Sequence, residues 1–332
     1  MIICRTPFRI SFFGGGTDYP VWFEKHGGSV LATSIDKYCY LTCRYLPPFF
    51  DHKHQISYSQ IERANDLNDI KHPAVREALR FMGINSGTEI HYDADLPART
   101  GLGSSSSFVV GLLHALYALK GQVADKMRLA RDAIYIEQHM IKENVGCQDQ
   151  IMASFGNFNL IEFNNQRDFI VKPVTVSADR IKLLNKYLML FFTGFSRTAS
   201  EIAGDQIKNI PKKLNELSEM HQMVREALSI LNCNCDIADF GKLLHENWLL
   251  KKSLSNKITT AMIDEIYQTA YSAGALGGKL LGAGGGGFLL IFAHPEKQSI
   301  IRDKLRKLLL VPFKFETSGS QIIFSQYNEL YD

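Results

Sequence analysis

No apolar run in the 332-residue chain reaches the roughly 18 residues that a membrane-spanning helix needs, so no span is expected. The opening MIICRTPFRISFFGGG is broken by Arg5 and Arg9 and lacks the apolar segment of a secretion signal, so the expected location is the cytoplasm. Charge of one sign is also lacking. Lys plus Arg is 37 and Asp plus Glu is 34, and the net +3 is too weak for a nucleic-acid partner. Cysteine is sparse: Cys4, Cys39, Cys43, Cys147, Cys233 and Cys235 form no CxxC pair, which excludes a zinc-finger arrangement and favours reduced structural thiols. There is no internal repeat and no low-complexity tract. What remains is 45% hydrophobic and 21% charged, a globular balance long enough for one large domain or two ordinary ones.

Strand-like and helix-like segments alternate irregularly, which predicts an α+β fold of two lobes dividing near residue 180, as 1–180 and 181–332. Strands are expected over 2–13, 29–45, 89–95, 151–163 and 169–176. The polar stretch 47–71 is expected as a long excursion. Residues 104–120 are apolar nearly all round, the pattern of a buried helix. In the second half, the strand 187–192 precedes helices over 198–231 (interrupted by Pro211), 236–254 and 260–273. Helix 236–254 suits packing within its lobe or in a homodimer. A glycine run at 277–281, a strand over 288–293, a helix over 295–308 and a strand over 311–316 complete the chain.

Three glycine-rich segments stand out. Gly14-Gly15-Gly16-Thr17-Asp18 is either a turn capped by Asp18 or a close backbone approach to a ligand. Gly101-Leu102-Gly103-Ser104-Ser105-Ser106-Ser107 opens the buried helix. Free N–H groups and the helix dipole there suit an anion, and four serines exceed what a cap requires. No Gly-Lys-Ser/Thr follows, so it is not a Walker loop. Gly282 to Gly287 matches G-x-G-x-x-G, but a strand follows where a dinucleotide fold needs a helix. Glu137 shares a helix face with Ile134 and Ile141, so its carboxylate needs a cationic partner or a metal. Asp149 stands in Gly146-Cys147-Gln148-Asp149-Gln150, between helix and strand, where loops carry functional side chains.

In combination these segments resemble the GHMP kinase superfamily of galactokinase, homoserine kinase, mevalonate kinase and phosphomevalonate kinase. TPFRISFFGGGTDY, LPARTGLGSSSS and KLLGAGGGGF resemble its three motifs, in order and over nearly the whole chain. The resemblance implies an N-terminal lobe like ribosomal protein S5 domain 2, a ferredoxin-like C-terminal lobe, and ATP and Mg²⁺ as cofactors. Arg9 matches the arginine that assists phosphoryl transfer, Asp149 the catalytic aspartate, Glu137 the Mg²⁺-binding glutamate and Asp18 a sugar-binding aspartate. Gly15 and Gly16 replace the Glu-His pair of galactokinases. GGGTD after RISFF most resembles the bacterial kinases that phosphorylate the anomeric hydroxyl of D-glycero-D-manno-heptose 7-phosphate. Anomeric kinases of fucose, glucuronate or N-acetylhexosamines share parts of the pattern. A non-sugar alcohol kinase and a non-catalytic sugar- or ATP-binding protein are the competing classes.

The implied roles follow phosphoryl-transfer chemistry. Backbone amides of Gly101, Leu102, Gly103, Ser104, Ser105 and Ser106 hold the ATP phosphates. Ser105, with Ser104 beside it, and Glu137 hold Mg²⁺. Asp149 takes the proton of the sugar hydroxyl and Arg9 neutralises charge. Gly15, Gly16, Thr17 and Asp18 contact the sugar, and Gly284, Gly285 and Gly286 bring backbone to the substrate or γ-phosphate. Arg197, ahead of Lys25, Lys37 and Arg44, is the expected cation for a phosphate on a small-molecule sugar phosphate substrate.

Overall fold

The computed structural model describes residues 1–98, 100–194, 199–233 and 235–326. The first lobe runs through β1 (Ile2–Phe13), α1 (Pro20–His26), β2 (Gly28–Tyr45), β3 (His54–Ser57), β4 (Ile61–Ala64), α2 (Pro73–Phe81), β5 (Thr88–Ala94), α3 (Ser104–Leu119), α4 (Lys126–Tyr135), α5 (Gln148–Phe155), β6 (Phe158–Phe163) and β7 (Phe169–Pro173). The second adds α6 (Ala178–Lys186), β8 (Leu188–Phe192), α7 (Ala199–Asn209), α8 (Leu214–Asn232), α9 (Ala238–Ser253), α10 (Ala261–Ser272), β9 (Ala275–Leu280), β10 (Phe288–Ala293) and α11 (Pro295–Lys304). The last strands are β11 (Leu309–Leu310), β12 (Phe315–Glu316) and β13 (Gln321–Ser325).

β2 organises the first sheet. It pairs antiparallel with β1 along its length, with β5 at one end and with β6 at the other. From Thr6 onward every residue of β1 is buried, because helices cover one face of the sheet and the second lobe covers the other. The apolar α3 lies against β1 and β2 and is flanked by α2, α4 and α5. That burial on all sides is why its sequence has no polar stripe. A second sheet, ordered β11-β8-β10-β9, is antiparallel throughout.

Two lobes of mixed helix and sheet are therefore present, as the alternation predicts, but four details differ. A division into 1–180 and 181–332 misplaces the end of the chain: β12 pairs with β2 and β13 with β1, so the last strands complete the first lobe's sheet. Residues 151–155 are helical rather than extended, and the strand starts only after Gly156 and Asn157, at φ 68° and 67°, turn the chain. The helix face expected to hold Ile134, Glu137 and Ile141 is not one regular helix: α4 ends at Tyr135 and a π-turn over Ile136–Met140 carries Glu137. The excursion 47–71 holds the hairpin β3–β4. Helix α9 buries Phe240, Leu244 and Trp248, and Phe240 packs edge-on against Phe12 and Phe13 of β1, so part of its apolar face meets the first lobe. Cys233 and Cys235 are joined as a disulfide, against the expectation of free thiols, while Cys4, Cys39, Cys43 and Cys147 are free and buried.

Candidate active site

Alternation along β1 puts Arg9 on the face that meets the start of α5. There its Nε and Nη2 donate to the two carboxylate oxygens of Asp149 at 2.7 and 2.8 Å. Nη1 donates to the Gly101 carbonyl at 2.8 Å, so one guanidinium fixes both the acid and the serine loop. Arg9 is 4% exposed and Asp149 25%, which leaves the carboxylate open on one side. Gly103 ends the loop in the left-handed region at φ 77°, and a Cβ there would stand 3.3 Å from Asp149 Oδ2. The loop backbone thus passes directly beside the acid, at the N-terminus of the sixteen-residue helix α3. That juxtaposition suits phosphate chemistry: N–H donors and a helix dipole on one side, an oriented carboxylate on the other.

The first glycine loop is tied down from within. Thr17 is fully buried, and its Oγ1 donates to the carbonyls of Gly14 and Ser29 and accepts the Ser29 N–H. It therefore shapes the loop from within. Asp18 is also buried. It accepts the Gly16 N–H at 2.9 Å and the Gln148 N–H at 3.4 Å, and its carbonyl accepts the Cys147 N–H. Burial first, opposed by these N–H bonds, and then the neighbouring Asp149 charge raise its pKa. Asp18 joins the first loop to the segment carrying Asp149. Gly146 permits this, since a Cβ there would sit 1.9 Å from Asp18 Oδ2.

The second and third loops pack backbone against backbone. A Cβ on Gly282 would fall 2.4 Å from Gly101 Cα, and one on Gly287 2.2 Å from the Thr100 carbonyl. The Phe288 N–H donates to that same carbonyl at 3.2 Å. Gly284 and Gly285 lean on Ile258, whose carbonyl takes the Gly285 N–H at 2.8 Å, so this amide is not free for a phosphate. Two buried lysines, neither singled out in the sequence, support the junction. Lys251 Nζ donates to the carbonyls of Leu280 and Gly282, and Lys279 Nζ to Phe12 at 2.7 Å. Burial pulls the Lys251 pKa down to about 7, and holds that of Lys279 well below the ordinary lysine value. Lys251 follows Leu244 and Trp248 at helical spacing, but that pattern points to burial only once those two neighbours are known to be buried.

Glu137 is 1% exposed and its hydrogen-bond partners are neutral: Ser106 Oγ at 2.9 and 3.1 Å, and Gln150 Nε2. The hydroxyl that reaches it belongs to Ser106, whereas Ser105 lies exposed one position earlier. Burial pushes the Glu137 pKa up to about 8. A carboxylate so placed, without a cationic hydrogen-bond partner among the described residues, fits a divalent cation. No cluster of three or more metal-ligating His, Cys, Asp or Glu exists among the described residues. Arg197 lies outside the described residues. Among the described residues no helix is long and apolar enough to cross a membrane.

Comparison with known proteins agrees with this geometry. Residues 69–157 match the GHMP kinases N terminal domain and residues 224–309 the GHMP kinases C terminal domain. The chain is 30% identical to D-glycero-alpha-D-manno-heptose 7-phosphate kinase of Campylobacter jejuni, over 91% of this chain and 92% of that one. It is 28% identical to the bifunctional fucokinase/GDP-fucose pyrophosphorylase of Arabidopsis thaliana, over 91% of this chain but 31% of that longer protein. The crystal structure of a D-glycero-D-manno-heptose 1-phosphate kinase from Bacteriodes thetaiotaomicron superposes with a TM-score of 0.80 at 23% identity, covering 98% of this chain and 100% of that one. Motifs, fold and relatives converge: the chain belongs to the GHMP kinase family and is an ATP-dependent phosphotransferase.

Proposed function

We propose that the chain is a cytoplasmic sugar-1-kinase that transfers the γ-phosphoryl group of ATP to the anomeric O1 hydroxyl of D-glycero-D-manno-heptose 7-phosphate. The product is the 1,7-bisphosphate, on the way to nucleotide-activated heptose for bacterial surface glycans. The observation that carries the reading is the two-pronged Arg9–Asp149 pair set against Gly103, where the serine loop enters α3. The 30% identity to the heptose phosphate kinase over nearly the full chain supports the choice of sugar.

Backbone amides over 101–106 cradle the β- and γ-phosphates at the helix N-terminus. Asp149 accepts the O1 proton while Arg9, bonded to both carboxylate oxygens, holds it in orientation. Asp18, with Gly15 and Gly16, borders the sugar. Glu137 and Ser106, with Ser105 at the loop surface, would hold Mg²⁺, which neutralises the phosphate charge that builds up in transfer. Arg197 remains the sequence-based candidate for the 7-phosphate.

The test is ADP release from Mg²⁺-ATP with heptose 7-phosphate, mannose 6-phosphate, galactose, fucose, glucuronate and mevalonate. Turnover confined to sugar phosphates is expected, and turnover only with an unphosphorylated sugar would refute the heptose assignment. Asp149→Asn should lower turnover by about two orders of magnitude or more, and near wild-type turnover would remove Asp149 as the base. Arg197→Ala should raise the KM of a phosphorylated sugar and leave that of ATP in place.

A further inference from the structure

Three glycines follow β1, but only two are demanded by the fold. Gly14 and Gly16 adopt φ +80° and +104°, and Cβ atoms there would meet the Ser29 carbonyl at 1.9 Å and Leu217 Cδ2 at 3.0 Å. Gly15 has no such φ, and the atoms nearest to a Cβ on it are Ser11 Oγ at 3.8 Å and Gln148 Nε2 at 3.9 Å. The missing side chain therefore opens space that the backbone does not require to be open.

The groups bordering that space are unusual. Ser11 is 6% exposed, and its Oγ has no hydrogen-bond partner among the described residues. Gln148 Oε1 is likewise buried without a partner. A buried neutral acceptor or hydroxyl left unpaired is costly and rare, and two of them on side chains that border one space, Ser11 Oγ and Gln148 Oε1, signal a missing hydrogen-bonding group. The location is specific. Ser11 lies on the Arg9 face of β1, about 6–7 Å further along the strand, and Gln148 immediately precedes Asp149.

We propose that Ser11 and Gln148 form a binding subsite over Gly15 that reads a second hydroxyl of the substrate, next to the hydroxyl engaged by Asp149. A hydroxyl both donates and accepts, so it satisfies the serine hydroxyl and the unpaired glutamine amide oxygen. A carboxylate or fully ionised phosphate has no hydrogen to give Gln148 Oε1. The subsite therefore takes a neutral polyol carbon rather than the charged end of the substrate. This deepens the sugar-kinase reading and rests on it for the position of the reacting hydroxyl.

The experiment compares wild type, Ser11→Ala, Gln148→Leu and the double variant on heptose 7-phosphate and its monodeoxy analogues. Each single variant should lower kcat/KM for the sugar about three- to tenfold, the worth of one neutral hydrogen bond, with the KM of ATP and the urea midpoint unchanged. At one ring position the penalty for the deoxy analogue should be present in wild type and absent in the double variant. Gly15→Ala should keep the urea midpoint and raise the sugar KM. Unchanged sugar kinetics in both single variants would overturn the subsite, as would deoxy penalties identical in all proteins, or a loss of stability that accounts for the effect. If wild type turns over no sugar, the kinase assignment fails separately, and saturation-transfer NMR with the same sugars decides the subsite. Polyol binding lost in the double variant upholds it, and no polyol binding by wild type rejects it.

Discussion

Lys251 shows how a single buried charge links the lobes' chemistry to stability. Its ammonium is held by two carbonyls at the foot of the third glycine loop, and burial, aided by the Arg9 charge, lowers its pKa to about 7 against an ordinary 10.5. Between those values the unfolded chain binds a proton that the folded protein does not, so this residue makes stability rise with pH from about 7 upward. Urea midpoints of wild type and Lys251→Met, taken at pH 7, 8 and 9, should diverge in favour of wild type by nearly one proton's worth of slope. Parallel curves would mean that Lys251 stays charged in the folded state. Arg9, Asp18, Glu137 and Asp149 were legible because each stands in a motif or on a periodic face. Ser11, Gln148, Lys251 and Lys279 were not. Serine and glutamine are commonplace anywhere, and the lysines betray themselves only once their neighbours on helix or strand are known to be buried.

At the scale of elements, the glycines mark where main chains touch. Gly146→Ala would drive a methyl into the Asp18 carboxylate and push α5 from the first loop. A loss of about 1–3 kcal/mol is expected from such overpacking, read as a lowered urea midpoint, together with a fall in kcat because α5 carries Asp149. An unchanged midpoint would show that the two segments part without cost. The order of elements could be read from hydrophobic pattern and punctuation, down to the break at Pro211, where α7 ends and a 3₁₀ turn over Ile210–Lys212 precedes α8. The Ile151–Phe155 segment could not, since a short apolar run serves a buried helix and a buried strand alike. The π-turn at Glu137 was also hidden, because it shifts the hydrogen-bond ladder without altering composition.

On the scale of the whole molecule, the lobes share their interior. One apolar cluster joins Trp22, Ile151 and Ile161 to Phe191, Trp248 and Leu289, and another joins Phe8, Phe12 and Leu31 to Leu190, Phe240 and Phe292. Calorimetry should therefore show one cooperative transition, and residues 1–180 expressed alone should fail to fold. Two separated peaks would contradict this. The alternation in the sequence reveals two lobes but not their interleaving, since pairing between residues some 320 apart leaves no local trace. That pairing has a consequence for how the protein is made. β1 is made some 320 residues before β13, so that side of β1 lacks its partner strand while the intervening chain is synthesised. Nascent chains should lean on chaperones until β13 emerges, and the site, whose Arg9 rides on β1, should mature only once that strand has paired.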